Sequence, residues 1–131
     1  MFDNDARQFL EKPLIARLST ISSDGYPHNV PIWYLLDGDD VYFISDRAAR
    51  KTQNALANPK GAAVIGGDTD EDAGYLIQGD LHVETDADHR MMMRMTDRYE
   101  EGEAAEKLKA EWQNDDIVII RLHAQKVIRV R

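Results

Sequence analysis

The 131 residues include no cysteine. Disulfides, thiolate metal centres and a cysteine nucleophile are therefore excluded, and the composition suits a reducing cytoplasm. Positive charge is in short supply, with 16 Lys and Arg against 24 Asp and Glu and a net charge of −8. A surface-wide polyanion groove is excluded on that balance, so no nucleic-acid partner is expected. No apolar run approaches the roughly 20 residues that span a bilayer, so no membrane partner is expected either. The opening "MFDNDARQFLEK" has acids and no apolar core segment, which does not read as a secretory signal. No internal repeat, linker or low-complexity segment interrupts the chain. What is present is a hydrophobic content of 43%, enough for one domain over residues 1–131 with a real core.

Proline and glycine, with 4 and 8 residues, are few enough to act as punctuation. Residues 3–12 predict a short helix with Asp3 as N-cap and Phe9 and Leu10 buried, ended by Pro13. "LIARLSTIS" (14–22) alternates as a strand. Asp24-Gly25 predicts a type I′ hairpin turn into "HNVPIWYLL" (28–36), where Pro31 requires an edge or a bulge. "DGDD" (37–40) turns again into "VYFIS" (41–45). Residues 47–58 predict a helix capped by Ser45 or Asp46 and stopped at Asn58-Pro59. "GAAVIGG" (61–67) and "AGYLIQGDLHVET" (73–85) predict strands, the second with a bulge at Gly79. Residues 86–112 read as helical, broken near Gly102, and 116–131 as one or two strands. The fold class is therefore mainly β with α. Six or seven antiparallel strands with peripheral helices favour a closed barrel over an open sheet, because closure removes exposed edges.

Against the acidic background, "SDRAARKTQNALANP" (45–59) concentrates Arg47, Arg50 and Lys51 at a helix start. Cations are disfavoured there by the helix dipole. An anion over the exposed N–H groups would reverse that, with Arg and Lys as clamps and Ser45 as a hydroxyl donor. A solvated helix face explains the same residues, and composition leaves both readings open.

The ordered set "ARLSTISSDGYPHNVPIWY", "VYFIS", "RKTQNALANP" and "YLIQGDLHVE" resembles the pyridoxamine 5′-phosphate oxidase-like FMN-binding split-barrel family. The resemblance covers residues 14–85 well and the C-terminal third poorly. It implies a split β-barrel homodimer with FMN at the interface, acting as a flavin-dependent oxidoreductase on a small-molecule substrate. It implies that Asn29, Val30, Pro31, Ile32, Trp33 and Tyr34 lie along the isoalloxazine ring, largely through their backbone. It implies that Ile44 and Ser45 flank the ribityl-phosphate arm and that Arg50 and Lys51 hold the phosphate. Short proteins of this kind also include users of the deazaflavin F420, which stands as the alternative cofactor. A non-catalytic flavin-binding or partner-binding module is the alternative from another class. The family's vitamin-processing oxidase has a C-terminal portion rich in substrate-binding Arg and His that "KVIRVR" does not match, so the resemblance does not extend to that substrate. The family's polar flavin contact on the strand near Tyr75 finds only Gly74 here.

Other features carry less. His28, His82, His89 and His123 are scattered, and no metal site is expected. "DGDDVYF" and "DTDEDAG" lack the glutamate that would close a calcium loop. Gly66-Gly67 lacks a dinucleotide-binding context, and the serines form no triad with His and Asp. "MMMRM" (91–95) reads as core or dimer interface, with a soft partner-binding surface as the alternative, and Trp112 as core or pocket. No general acid or base stands out; Tyr34 and His28 are the candidate proton donors.

Overall fold

The computed structural model describes residues 1–131. In chain order it contains α1 (Asn4–Leu10), β1 (Ile15–Ile21), β2 (Pro27–Trp33), β3 (Leu35–Asp37), β4 (Asp40–Asp46), α2 (Arg50–Ala57), β5 (Lys60–Gly66) and β6 (Gly74–Thr85). A 3-10 turn (Ala87–His89), α3 (Arg90–Tyr99), α4 (Gly102–Trp112) and β7 (Ile117–Arg129) follow. The strands form one seven-stranded antiparallel sheet in the order β2-β1-β5-β6-β7-β4-β3. This is the split-barrel architecture, mainly β with peripheral helices.

The ladder does not close, which corrects the expectation of a sealed barrel. β2 and β3 are the two outer strands of the sheet, yet only Tyr34 separates them in the chain. One residue can connect opposite edges only if the sheet curls until they meet. Side chains from α3 fill the seam. The Tyr34 N–H donates to Tyr99 Oη (3.1 Å), and the Tyr34 carbonyl accepts from Arg98 Nε (2.9 Å). The backbone groups that a closed ladder would pair are thus satisfied another way.

Apolar residues on the inner faces make the core: Leu18, Ile65, Ile77, Ile120, Leu122, Val41 and Phe43 are all fully buried. α1 adds Phe9 and Leu10, and its first turn is capped by Asp3 Oδ1, which accepts from the Ala6 N–H at 2.8 Å. Met91, Met92 and Met95 are buried and Met93 is exposed, so most of the methionine run is packing. Asp86 caps α3 with both oxygens, accepting from Met91 N and Met92 N at 2.9 Å each.

The 22–26 hairpin is not type I′. Asp24 keeps a negative φ and only Gly25 is left-handed (φ 87°). Gly25 N donates to the Ser22 carbonyl (2.8 Å) and Ser22 N to the Tyr26 carbonyl (2.9 Å). A three-residue loop with one positive-φ glycine fits that pattern. Gly79 does sit at a register shift in the β6–β7 ladder. A Cβ there would collide with the His123 carbonyl oxygen, so the bulge needs glycine.

Candidate functional site

The edge strand β2, the end of β4, the start of α2 and the outer turn of α4 enclose a groove of about 560 Å³. Pro31, Ile32 and Trp33 line it from β2, and Ile44, Ser45 and Asp46 from β4. Lys51 comes from α2, Ile117 from β7, Leu108 and Trp112 from α4, and Glu100 from the turn before α4. Pro31 explains why β2 can present this wall: a residue without an N–H belongs on an edge strand, and β2 is one.

The basic cluster resolves into three different roles. Arg47 is a structural ion pair: Nε reaches Asp116 Oδ2 at 2.8 Å and an amino group reaches Thr85 Oγ1 at 2.7 Å. Its backbone N–H also donates to the Asp116 carbonyl. This pull delays the helix, which starts at Arg50 instead of 47. Lys51 is half-buried in the groove wall and its ammonium pairs with no carboxylate. Arg50 is exposed and turns into a separate polar cleft with Ser22, Ser23, Gln53, Asn54 and Asn58.

The expected cap by Ser45 or Asp46 is absent. Ala49 occupies the N-cap position of α2 and offers no side-chain acceptor. Ser45 is buried in the groove wall, with Thr52 Oγ1 2.9 Å from its Oγ and 2.7 Å from the Asp46 carbonyl. The N-terminal amides of α2 are left without a side-chain partner, and an uncapped start with adjacent lysine is a place where an anion is favoured.

Of the residues singled out in the sequence, the structure brings Pro31, Ile32, Trp33, Ile44, Ser45 and Lys51 to the groove. Four others lie elsewhere. Asn29 donates from Nδ2 to Ser19 Oγ (2.7 Å) on the exposed face. Val30 is half-buried and packs on the core. Arg50 faces the second cleft. Tyr34 is fully buried, and its hydroxyl lies 3.0 Å from the Leu10 carbonyl and 2.7 Å from that of Lys12. Burial pushes its phenol pKa up, the Tyr99 hydroxyl adds to that, and Arg98 opposes it. A side chain locked in the core with a raised pKa is not a proton donor for the groove, so that expectation is corrected. The half-buried His28 does not line the groove either, and its Nδ1 is buried without a partner. Gly74, which stands where the family has a polar contact, packs against Gly67.

Four lining residues escaped the sequence reading, Asp46, Glu100, Leu108 and Ile117, while Trp112, read as core or pocket, lines the groove. One signal was available. Leu108 and Trp112 stand four apart on a helix otherwise dominated by charge, so they share a face. Trp112 packs edge-on to Trp33 (6.1 Å, 70°), and Tyr99 stacks flat on the same indole (4.7 Å, 2°).

A curled antiparallel half-barrel with its groove between an outer strand and a helix start defines a split-barrel protein. The sequence model of the family described as "Pyridoxamine 5'-phosphate oxidase" matches residues 2–131, and the chain belongs to that family. Among curated proteins, none matches the sequence. Among solved structures, one titled "F420 Reductase" is 24% identical, covering 97% of this chain and 98% of its own, with a TM-score of 0.81. The conserved hypothetical protein Rv2991 from Mycobacterium tuberculosis is 21% identical over 98% of this chain and 84% of its own, with a TM-score of 0.79. HutZ from Vibrio cholerae, titled a heme storage protein, is 15% identical over 96% of this chain and 92% of its own, with a TM-score of 0.71. These three likenesses are of fold.

Proposed function

We propose that the chain is an FMN-binding flavoprotein and a flavin-dependent oxidoreductase acting on a small molecule. One observation carries this reading: a half-buried lysine without a carboxylate partner beside an uncapped helix start, at a groove walled by an edge strand and aromatic side chains. Lys51, the Ser45 hydroxyl and the α2 amides are the phosphate-holding groups. Pro31, Ile32 and Trp33 supply a flat apolar wall for the ring, and the exposed polar groups of an edge strand suit its donors and acceptors. When bound, FMN supplies hydride acceptance and donation; the protein supplies position and charge. Family membership supports the same cofactor.

The second reading is the deazaflavin F420 in the same groove, favoured by the full-length architectural likeness to the protein titled an F420 reductase. The groove wall contains no histidine, so haem ligation there has no support from its residues. The test is a visible absorption spectrum of purified protein after FMN or F420 is added and free ligand removed. Retained FMN absorption is the expected outcome. Retention of F420 alone would change the redox partner, and retention of neither would leave a partner-binding module.

A homodimer belongs to this reading. Pro31, Arg17, Val64, Leu76 and Ile128 are cross-strand neighbours in one row over five strands. All lie on the outer face and none is buried, so four apolar side chains there are open to a second copy. No helix is long and apolar enough to cross a membrane. A cytoplasmic location is part of the same proposal, since a chain without disulfides fits a reducing compartment.

A further inference from the structure

The groove has two chemically different regions. Around Lys51 and Ser45 it is built for an anion, as argued above. Away from them, Trp33, Leu108, Trp112 and Glu100 form a contiguous group. Trp33 touches Trp112 edge-on and Tyr99 face-on, and Glu100 is the next residue after Tyr99. Leu108 lies one helical turn before Trp112. Glu100 is half-buried, and its carboxylate has neither a hydrogen bond nor an ion pair. The nearby bases are committed elsewhere: Lys109 bonds Asp97 at 2.6 Å, and the Arg98 guanidinium is spent on backbone carbonyls.

An unpaired carboxylate beside two indoles is the mirror of an unpaired lysine beside free amides. Indole faces attract cations, and a carboxylate within a partly dry wall strengthens that attraction. We infer that the Trp33–Trp112–Glu100 end of the groove is the subsite for the second reactant, and that this reactant is a flat organic cation. The inference rests on the cofactor reading, because it takes the Lys51 end to be occupied by the flavin phosphate. Trp112 supplies the aromatic wall, braced edge-on by Trp33, whose own face is stacked on Tyr99; Leu108 excludes water, and Glu100 sets the charge preference.

The test uses three ligands with one ring and three charges: 1-methylnicotinamide, nicotinamide and nicotinate. Binding to the purified protein, with and without FMN, is followed by tryptophan fluorescence. The cation is expected to bind about tenfold more tightly than the neutral ring, and the anion more weakly still. Glu100→Gln is expected to abolish that order while keeping the thermal midpoint and FMN retention of the parent, which separates recognition from a role in starting α4. Trp112→Ala is expected to weaken all three ligands. Equal binding of the three, preference for the anion, or an unchanged order in Glu100→Gln would overturn the inference. Failure of the cofactor reading shows separately, as loss of flavin absorption with the cation preference intact.

Discussion

Arg50 and Lys51 are neighbours in sequence, but one step along a helix turns about 100°. That turn sends Lys51 into the groove and Arg50 into the polar cleft beside Asn54. They should therefore differ as phosphate ligands. Lys51→Ala is expected to weaken FMN binding about tenfold or more, since a charge-assisted contact contributes roughly 1.5–3 kcal/mol. Arg50→Ala is expected to change it less than about threefold, because a side chain outside the groove contributes only through screened long-range charge. Equilibrium titration of the folded variants decides; equal losses would mean that one phosphate sits between both side chains. The sequence displayed the basic cluster but not its division, because Arg47 is claimed by Asp116, 69 residues away. The reverse holds at Gly79. A lone glycine in an apolar strand pattern marks a bulge without any tertiary information. Gly79→Ala is expected to lower stability by about 2–4 kcal/mol in urea unfolding, because the clash is with backbone that has no alternative rotamer.

Among the elements, α3 does more than its methionine stripe suggested. From its last turn, Arg98 donates to the carbonyls of Leu10, Glu11 and Lys12 as well as Tyr34, and Tyr99 Oη donates to the Leu14 carbonyl at 2.6 Å. One side chain thus satisfies the end of α1 and the seam between β2 and β3. Replacing it by Met leaves several carbonyls short of a donor, and a loss on the order of 3 kcal/mol is expected, measured by chemical denaturation. No sequence pattern pairs a side chain with backbone acceptors 64 to 88 residues away, so this hub was illegible. It also has a pH signature. Burial raises the pKa of Tyr34 and Tyr99 above 10.0. Above that value the unfolded chain releases these protons first, so it binds fewer than the native state and stability falls as pH rises. Below it the contribution is fully present. Stability is therefore expected to be insensitive to these groups up to about pH 10 and to decline above it. Tyr99→Phe should flatten the decline, and an unchanged slope would assign it to other groups.

At the scale of the molecule, what was legible followed from locality. The hairpins β1–β2, β3–β4 and β5–β6 join strands adjacent in sequence, and their turns announce them. The pairings β1–β5 and β4–β7 join distant segments, and no local signal in the sequence announces them. The closed barrel was wrong for a related reason: edge avoidance is a general pressure, whereas the seam here is met by two α3 side chains. The α4 wall of the groove lay in the third of the chain where the resemblance was poor, so Glu100, Leu108 and Trp112 had no family motif to place them. The outer apolar row gives the last prediction. Val64 is half-buried at the middle of the row, between Arg17 and Leu76. Lysine there would leave the inner face untouched, since alternate residues point to opposite sides of a sheet. Val64→Lys is expected to keep the far-ultraviolet spectrum and shift sedimentation from dimer to monomer, because a charge buried at an interface without a partner costs several kcal/mol. If the flavin is held between two copies, FMN retention falls with the dimer, in proportion to the monomer formed. A monomer that keeps its FMN would confine the cofactor to the single-chain groove, and an unshifted dimer would move the interface to another face.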